Sequence, residues 1–140
     1  MDVNIDTNLQ DIRRRIGKKG DELSESVKKA LSITALAGRN IIEARTSKGV
    51  GYKGGAFEGY SPTYAAFRAS KGRGSRPDLE FTGQMMSSMT TKANSKQAEI
   101  FFTRATASKK AAMNNKTRPF FGFSKREEKT LSKIFFRALK

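Results

Sequence analysis

One stretch constrains the fold more than any other. Between Asp21 and Arg45, the residues Leu23, Val27, Ala30, Leu31, Thr34, Ala37, Ile41 and Ile42 recur at three- and four-residue steps. That spacing gathers them on one stripe of a helix, whereas a strand would scatter them over both faces. Asp21 and Glu22 at the start and Arg45 at the end suit the helix dipole. A helix over 21–45 is about 37 Å long at 1.5 Å per residue. The chain has 140 residues, the length of one domain, so one end of the helix is expected to project. Gly38 interrupts the stripe and predicts a close approach by another backbone.

The remaining segments read as shorter elements. Residues 1–20 read as a loose basic arm, with Thr7 and Gln10 as a capping box and a short helix over 8–18. Residues 47–60 are glycine-rich and read as a mobile loop or irregular hairpin. Ser61-Pro62 reads as an N-cap followed by proline at the first helical position, opening a helix over 62–70 that Gly72 ends. Residues 71–78 form a basic loop. Thr82 is placed to cap a short helix through Met89; alternatively, 88–93 and 97–103 pair as a hairpin across Asn94-Ser95. Ile100, Phe101 and Phe102 suggest a strand covered on both faces. Residues 105–113 read as helix, Asn114-Asn115 as a turn, and Arg118 to Phe123 as a strand with Pro119 at its edge. Ser124 and Glu127 form a second capping box. They open a helix over 125–139 with Leu131, Ile134, Phe135, Ala138 and Leu139 on one face. The class is α+β: a long N-terminal helix and a C-terminal helix packed on a small antiparallel sheet. The division is an arm over 1–20 and one domain over 21–140.

Composition narrows the chemistry. The chain has no Cys and no His, which removes disulfides, thiolate metal sites, cysteine nucleophiles and the commonest general base. The N-terminus has no apolar run of the kind that directs secretion, and no segment reaches the roughly 18 apolar residues of a membrane span. Synthesis in a reducing cytoplasm is the expectation. Lys and Arg number 28 against 13 Asp and Glu, a net charge of +15. A field of that strength draws polyanions or acidic protein faces.

Gly49-Val50-Gly51-Tyr52-Lys53-Gly54 matches a dinucleotide-binding pattern by letters. The physics of that site requires a strand before the glycines and a helix after them, and the reverse is expected here. Most acids sit beside Lys or Arg, no carboxylate pair stands out, and no Ser–Lys pair is singled out. The expectation is therefore no enzyme, no cofactor and no metal. Two basic tracts remain: Arg13, Arg14, Arg15, Lys18 and Lys19, and an acid-free run over 100–126 containing five phenylalanines. With Arg73 and Arg76 of the 71–76 loop, the first tract supplies the candidate contacts with DNA or an acidic partner. The phenylalanines fit either a core or a set of stacking faces.

The second half also carries a sequence of motifs. Phe57-Glu58-Gly59-Tyr60-Ser61-Pro62 precedes Tyr64 and the basic loop. Leu79-Glu80-Phe81-Thr82-Gly83-Gln84-Met85 follows, with Ser87-Ser88 just after. Arg118-Pro119-Phe120-Phe121-Gly122 then precedes the last helix. In order and spacing this resembles the virion-morphogenesis and tail-completion (neck) proteins of tailed bacteriophages. The chain departs from that pattern at 106–115, which carries neither the aromatic nor the His common there. The resemblance implies a structural virion protein at the head–tail joint. It further implies a homo-oligomeric ring, a hexamer, around the DNA channel. Its partners would be the head connector or portal side and the tail terminator or tail tube, with transient contact to genomic DNA and none to membrane. Thr82, Gly83, Arg118, Pro119, Phe120, Phe121 and Gly122 would be its structural motif residues. The charge alone leaves a basic nucleic-acid-binding protein as the alternative.

Overall fold

A computed structural model describes residues 3–5, 20–79 and 83–139. In order, the elements are β1 (Val3–Ile5), α1 (Gly20–Ser47), α2 (Pro62–Ser70), α3 (Gln84–Ser87), β2 (Met89–Ala93), β3 (Ala98–Phe102), α4 (Ala105–Thr117) and α5 (Lys125–Ala138). The fold is α+β, as expected. The sheet is antiparallel with order β1-β3-β2. Residues 3–5 are thus an edge strand, with Val3 opposite Ile100, and not part of a loose arm. The capping box at Thr7 and the helix over 8–18 lie outside the described residues.

α1 organises the core. Leu23, Val27, Ala30, Leu31 and Ala35 pack with Ala98 of β3 and Phe135 of α5. One end further on, Ile42 joins Met85, Met86, Met89, Ile100, Phe102, Ala107, Ala111, Phe120 and Phe121. Buried positions therefore run from Leu23 to Thr46, and neither end projects over that span. Ala37 and Ile41, expected on the stripe, are only half-buried. The buried Thr34 hydroxyl is satisfied by donating to the Ala30 carbonyl at 2.7 Å. What crowds Gly38 is not backbone: a Cβ there would lie 2.9 Å from the Phe123 ring and 3.1 Å from Ile100.

The caps follow their sequence signals. Ser61 accepts from the Tyr64 amide at 3.3 Å, with Pro62 at the first helical position. Gly72, at φ +72°, turns the chain out of α2. Ser124 and Glu127 exchange their two bonds at 3.2 and 3.0 Å. On α5, Leu131 and Phe135 are buried, while Ile134, Ala138 and Leu139 are half-buried. The short helix and the hairpin both form, joined at Ser88. The Asn94 side chain stabilises the hairpin turn by accepting from the amides of Lys96 and Gln97.

Three expectations change. β3 alternates between buried and half-buried, so only one face is fully covered. α4 continues through Asn114 and Asn115 to Thr117. The Asn114 amide bonds back to the Lys110 carbonyl, and the Asn115 oxygen accepts from the Phe121 amide. The segment 118–123 is not a strand. Its polar backbone groups are taken by Tyr52, Arg45 and Asn115 rather than by a ladder, and Phe120 and Phe121 enter the core from an irregular segment.

Candidate functional site

The residues that carry the resemblance meet in space. Arg118 donates from Nε to the Glu58 carbonyl at 2.7 Å and from a terminal nitrogen to the Gly59 carbonyl at 3.0 Å. Its guanidinium lies 4.7 Å from the centre of the Tyr60 ring. The Pro119 carbonyl accepts from the Tyr52 amide at 3.0 Å. A Cβ on Gly51 would sit 2.8 Å from that carbonyl, so only glycine lets the two backbones approach this closely. Gly122 is likewise pressed against the Tyr52 ring. Arg45, in the last turn of α1, completes the junction. It donates to both Glu127 oxygens at 2.6 Å, to Phe120 O at 2.6 Å and to Gly122 O at 3.0 Å.

These bonds make residues 47–60 the irregular hairpin of the two expected forms and not a mobile loop. The loop is folded back on itself by a bridge between Val50 and Ala56 and clamped onto 118–122. The glycine pattern at 49–54 follows a helix and leads into turns, so no helix N-terminus meets a pyrophosphate there.

Beside the junction is a cleft of about 500 Å³. Its wall is set by a four-residue step, Tyr60, Tyr64 and Arg68, which places these side chains on one face where the chain enters α2. Arg68 is 1% exposed, donates to the Gly74 carbonyl at 3.0 Å and pairs with Asp78 at 3.2 Å. It also lies 4.9 Å from the Tyr60 ring centre, so two guanidiniums rest against one phenol. Burial pushes the Tyr60 hydroxyl above the ordinary phenol value, although the Leu79 amide that donates to it and the Arg68 charge pull the other way. The phenol stays neutral at physiological pH and offers no counter-charge. Lys110 and Asn114, one turn apart on α4, line the opposite side. No acid lines the cleft among the described residues.

This chain matches no family model, no curated protein and no solved structure.

The other predicted contacts are dispersed. Arg13, Arg14, Arg15, Lys18, Lys19 and Thr82 lie outside the described residues. Arg73 and Arg76 are exposed on the loop after α2, and Arg76 donates to the Ser47 carbonyl at 3.1 Å. Gly83, at φ +79°, is itself the N-cap of α3 and supplies no side-chain bond. Neither Arg68 nor Arg45 stands among the candidate contacts read from the sequence. The Tyr60–Tyr64–Arg68 step was the available signal for the first. The second was legible only as a charge suited to the end of α1, since its partners lie 75 to 82 residues away. Among the described residues there is no cluster of three or more metal-ligating acids, and no helix is long and apolar enough to cross a membrane.

Proposed function

We propose that this chain is a structural virion protein of a tailed phage. In this reading it is a tail-completion or neck subunit that assembles with its own copies into a ring at the head–tail joint, around the DNA channel. The observation that carries the reading is the convergence just described: the two segments whose wording resembles the neck proteins clasp each other through Arg118, Glu58 and Gly59. Isolated look-alike words have no reason to become bonding partners. Arg118, Pro119, Phe120, Phe121 and Gly122 help to hold the domain together, which leaves outer helix faces for contacts with neighbours.

Two surface features suit such contacts. Ile33 and Leu36 stand on the outer face of α1 with 42% and 48% of their surface exposed. A neighbouring copy would cover them. The charge of +15 opposes assembly unless DNA or acidic neighbours offset it. Channel DNA and a partner ring supply such an offset.

The test is electron cryo-microscopy of complete particles containing this chain. Density for it at the collar, repeated about the channel axis, is the expected result; a collar filled entirely by other chains refutes the reading. In solution, Leu36→Glu should abolish any ring species in sedimentation while leaving the melting temperature unchanged.

A second reading, a basic nucleic-acid-binding protein, is favoured by one observation. Arg104, Lys109, Lys110, Lys116, Lys125 and Arg126 are all exposed, and none has an acidic partner among the described residues. Tight binding of a short duplex at physiological salt, weakening log-linearly as salt rises, would move this reading ahead of the first.

A further inference from the structure

The cleft between α2 and α4 has a composition that the neck reading does not use. Its cations come from three separate elements: Arg68 from α2, Lys110 from α4 and Arg118 from the segment after it. Arg68 is committed to Asp78 and the Gly74 carbonyl and charges the wall from within. Arg118 has two nitrogens engaged by carbonyls, and its third has no partner among the described residues. The Lys110 ammonium has no acidic partner among them either. These two groups, with the Asn114 side chain beside them, are donors directed by charge toward an oxyanion.

The aromatic side of the cleft selects further. Tyr64 is 37% exposed and Phe67, one turn on, 46%. Their rings are stacked, with centroids 6.3 Å apart and planes within 27° of parallel, and Tyr64 lines the cleft. Tyr60 meets Tyr64 edge-on at 4.9 Å and holds it in place. A carboxylate side chain would use the cations and leave the exposed Tyr64 ring wet. A ligand that pairs an anion with a flat ring uses both, and flat bases stack on such faces with little regard to identity. A volume of about 500 Å³ lies within the range of about 300–1,000 Å³ that holds small-molecule ligands.

We propose that this cleft binds a nucleotide unit, with the phosphate held by Arg118 and Lys110 and the base laid on Tyr64. The site stands independently of the neck reading, because it concerns one subunit and needs no ring.

The test is calorimetric titration of the full-length protein at low salt with thymidine 5′-monophosphate, thymidine, inorganic phosphate and a hexaglutamate peptide. The monophosphate should bind saturably, about tenfold tighter than thymidine or inorganic phosphate alone. Lys110→Ala should weaken it about fivefold to tenfold, since one charge-assisted contact is lost. Lys29→Ala, an exposed lysine on α1 outside the cleft, should leave it unchanged. Tyr64→Ala should weaken the monophosphate and leave inorganic phosphate unaffected. Oligothymidylates with and without a 5′-phosphate separate the sources. Preference for the phosphorylated end over the free nucleotide assigns the site to a strand terminus, and the reverse assigns it to a free nucleotide. Absence of saturable binding overturns the proposal, as do equal losses in the two lysine variants. Displacement of the nucleotide by equimolar hexaglutamate overturns it in favour of an acidic protein segment.

Discussion

Arg45→Met tests the junction at its centre. The methionine keeps much of the aliphatic stem and removes every polar bond. The arginine side chain is 10% exposed and that of Glu127 22%, so the pair is only partly screened by water. The change strands the buried carbonyl of Phe120 and the half-buried one of Gly122, each accepting a bond from a charged donor worth about 1.5–3 kcal/mol. It also leaves Glu127 without its cation. Breaking a fully buried pair costs about 3–5 kcal/mol. Glu127 keeps the Ser124 amide and the positive end of α5, which limits that part of the loss. The sum points to at least about 3 kcal/mol. For a domain of this size that lowers the melting temperature by about 10 °C. Urea unfolding followed by circular dichroism gives the free energy directly. Arg45→Lys should recover less than half of the loss, because one ammonium cannot span a carboxylate and two carbonyls. In a double-mutant cycle with Glu127→Gln, the second change should cost clearly less in the R45M background than alone. A loss below about 1 kcal/mol for R45M, or full additivity in the cycle, would refute the account of Arg45 as the bond between α1, the 118–123 segment and α5.

Four further outcomes follow from the same structure. Phe121→Ala should cost about 3–5 kcal/mol, because its ring is buried among Phe102, Phe120 and the methionines of α3 and β2; a loss under about 1 kcal/mol in the same urea assay would mean that the core closes without it. Gly51→Ala should destabilise by about 1–3 kcal/mol, since its Cβ meets the Pro119 carbonyl at 2.8 Å. Gly55→Ala, with nothing within 4 Å, should stay within about 0.5 kcal/mol. The raised Tyr60 hydroxyl favours the folded state while the phenol is neutral. That contribution is fully present below about pH 10, the unfolded phenol value, and is lost as pH rises through the higher folded value. The melting temperature should therefore fall less steeply above pH 10 in Tyr60→Phe than in the wild type, and identical slopes would contradict it.

The helices were legible wherever their signals were local. α1 announces itself by a stripe, α2 by Ser61-Pro62, and α5 by the Ser124–Glu127 box with Leu131 and Phe135 behind it. The hairpin turn was legible for the same reason, since Asn94 satisfies amides only two and three residues on. Errors began where a residue preference competed with a distant partner. Asn114-Asn115 reads as a turn in isolation. In the fold both side chains are occupied, one by its own helix and one by Phe121, and the helix runs on. The aromatic run 118–123 has strand-forming residue types, yet its carbonyls are claimed by the Tyr52 amide and by Arg45, so no ladder forms. Of the cleft, the step from Tyr60 to Arg68 was readable as a shared face. The arrival of Lys110 and Arg118 opposite it was not.

The sequence by itself determined the α+β class, the long helix, the caps and a strong positive field, because periodicity, capping and charge act over a few residues or depend on composition alone. Only the tertiary structure decided that residues 47–60 are clamped rather than loose, that Arg118 and Arg45 are fasteners, and that cations from three elements share one cleft. Those outcomes depend on residues about 40 to 80 positions apart coming together, and the energies of such contacts are felt only once the chain has closed the loops between them.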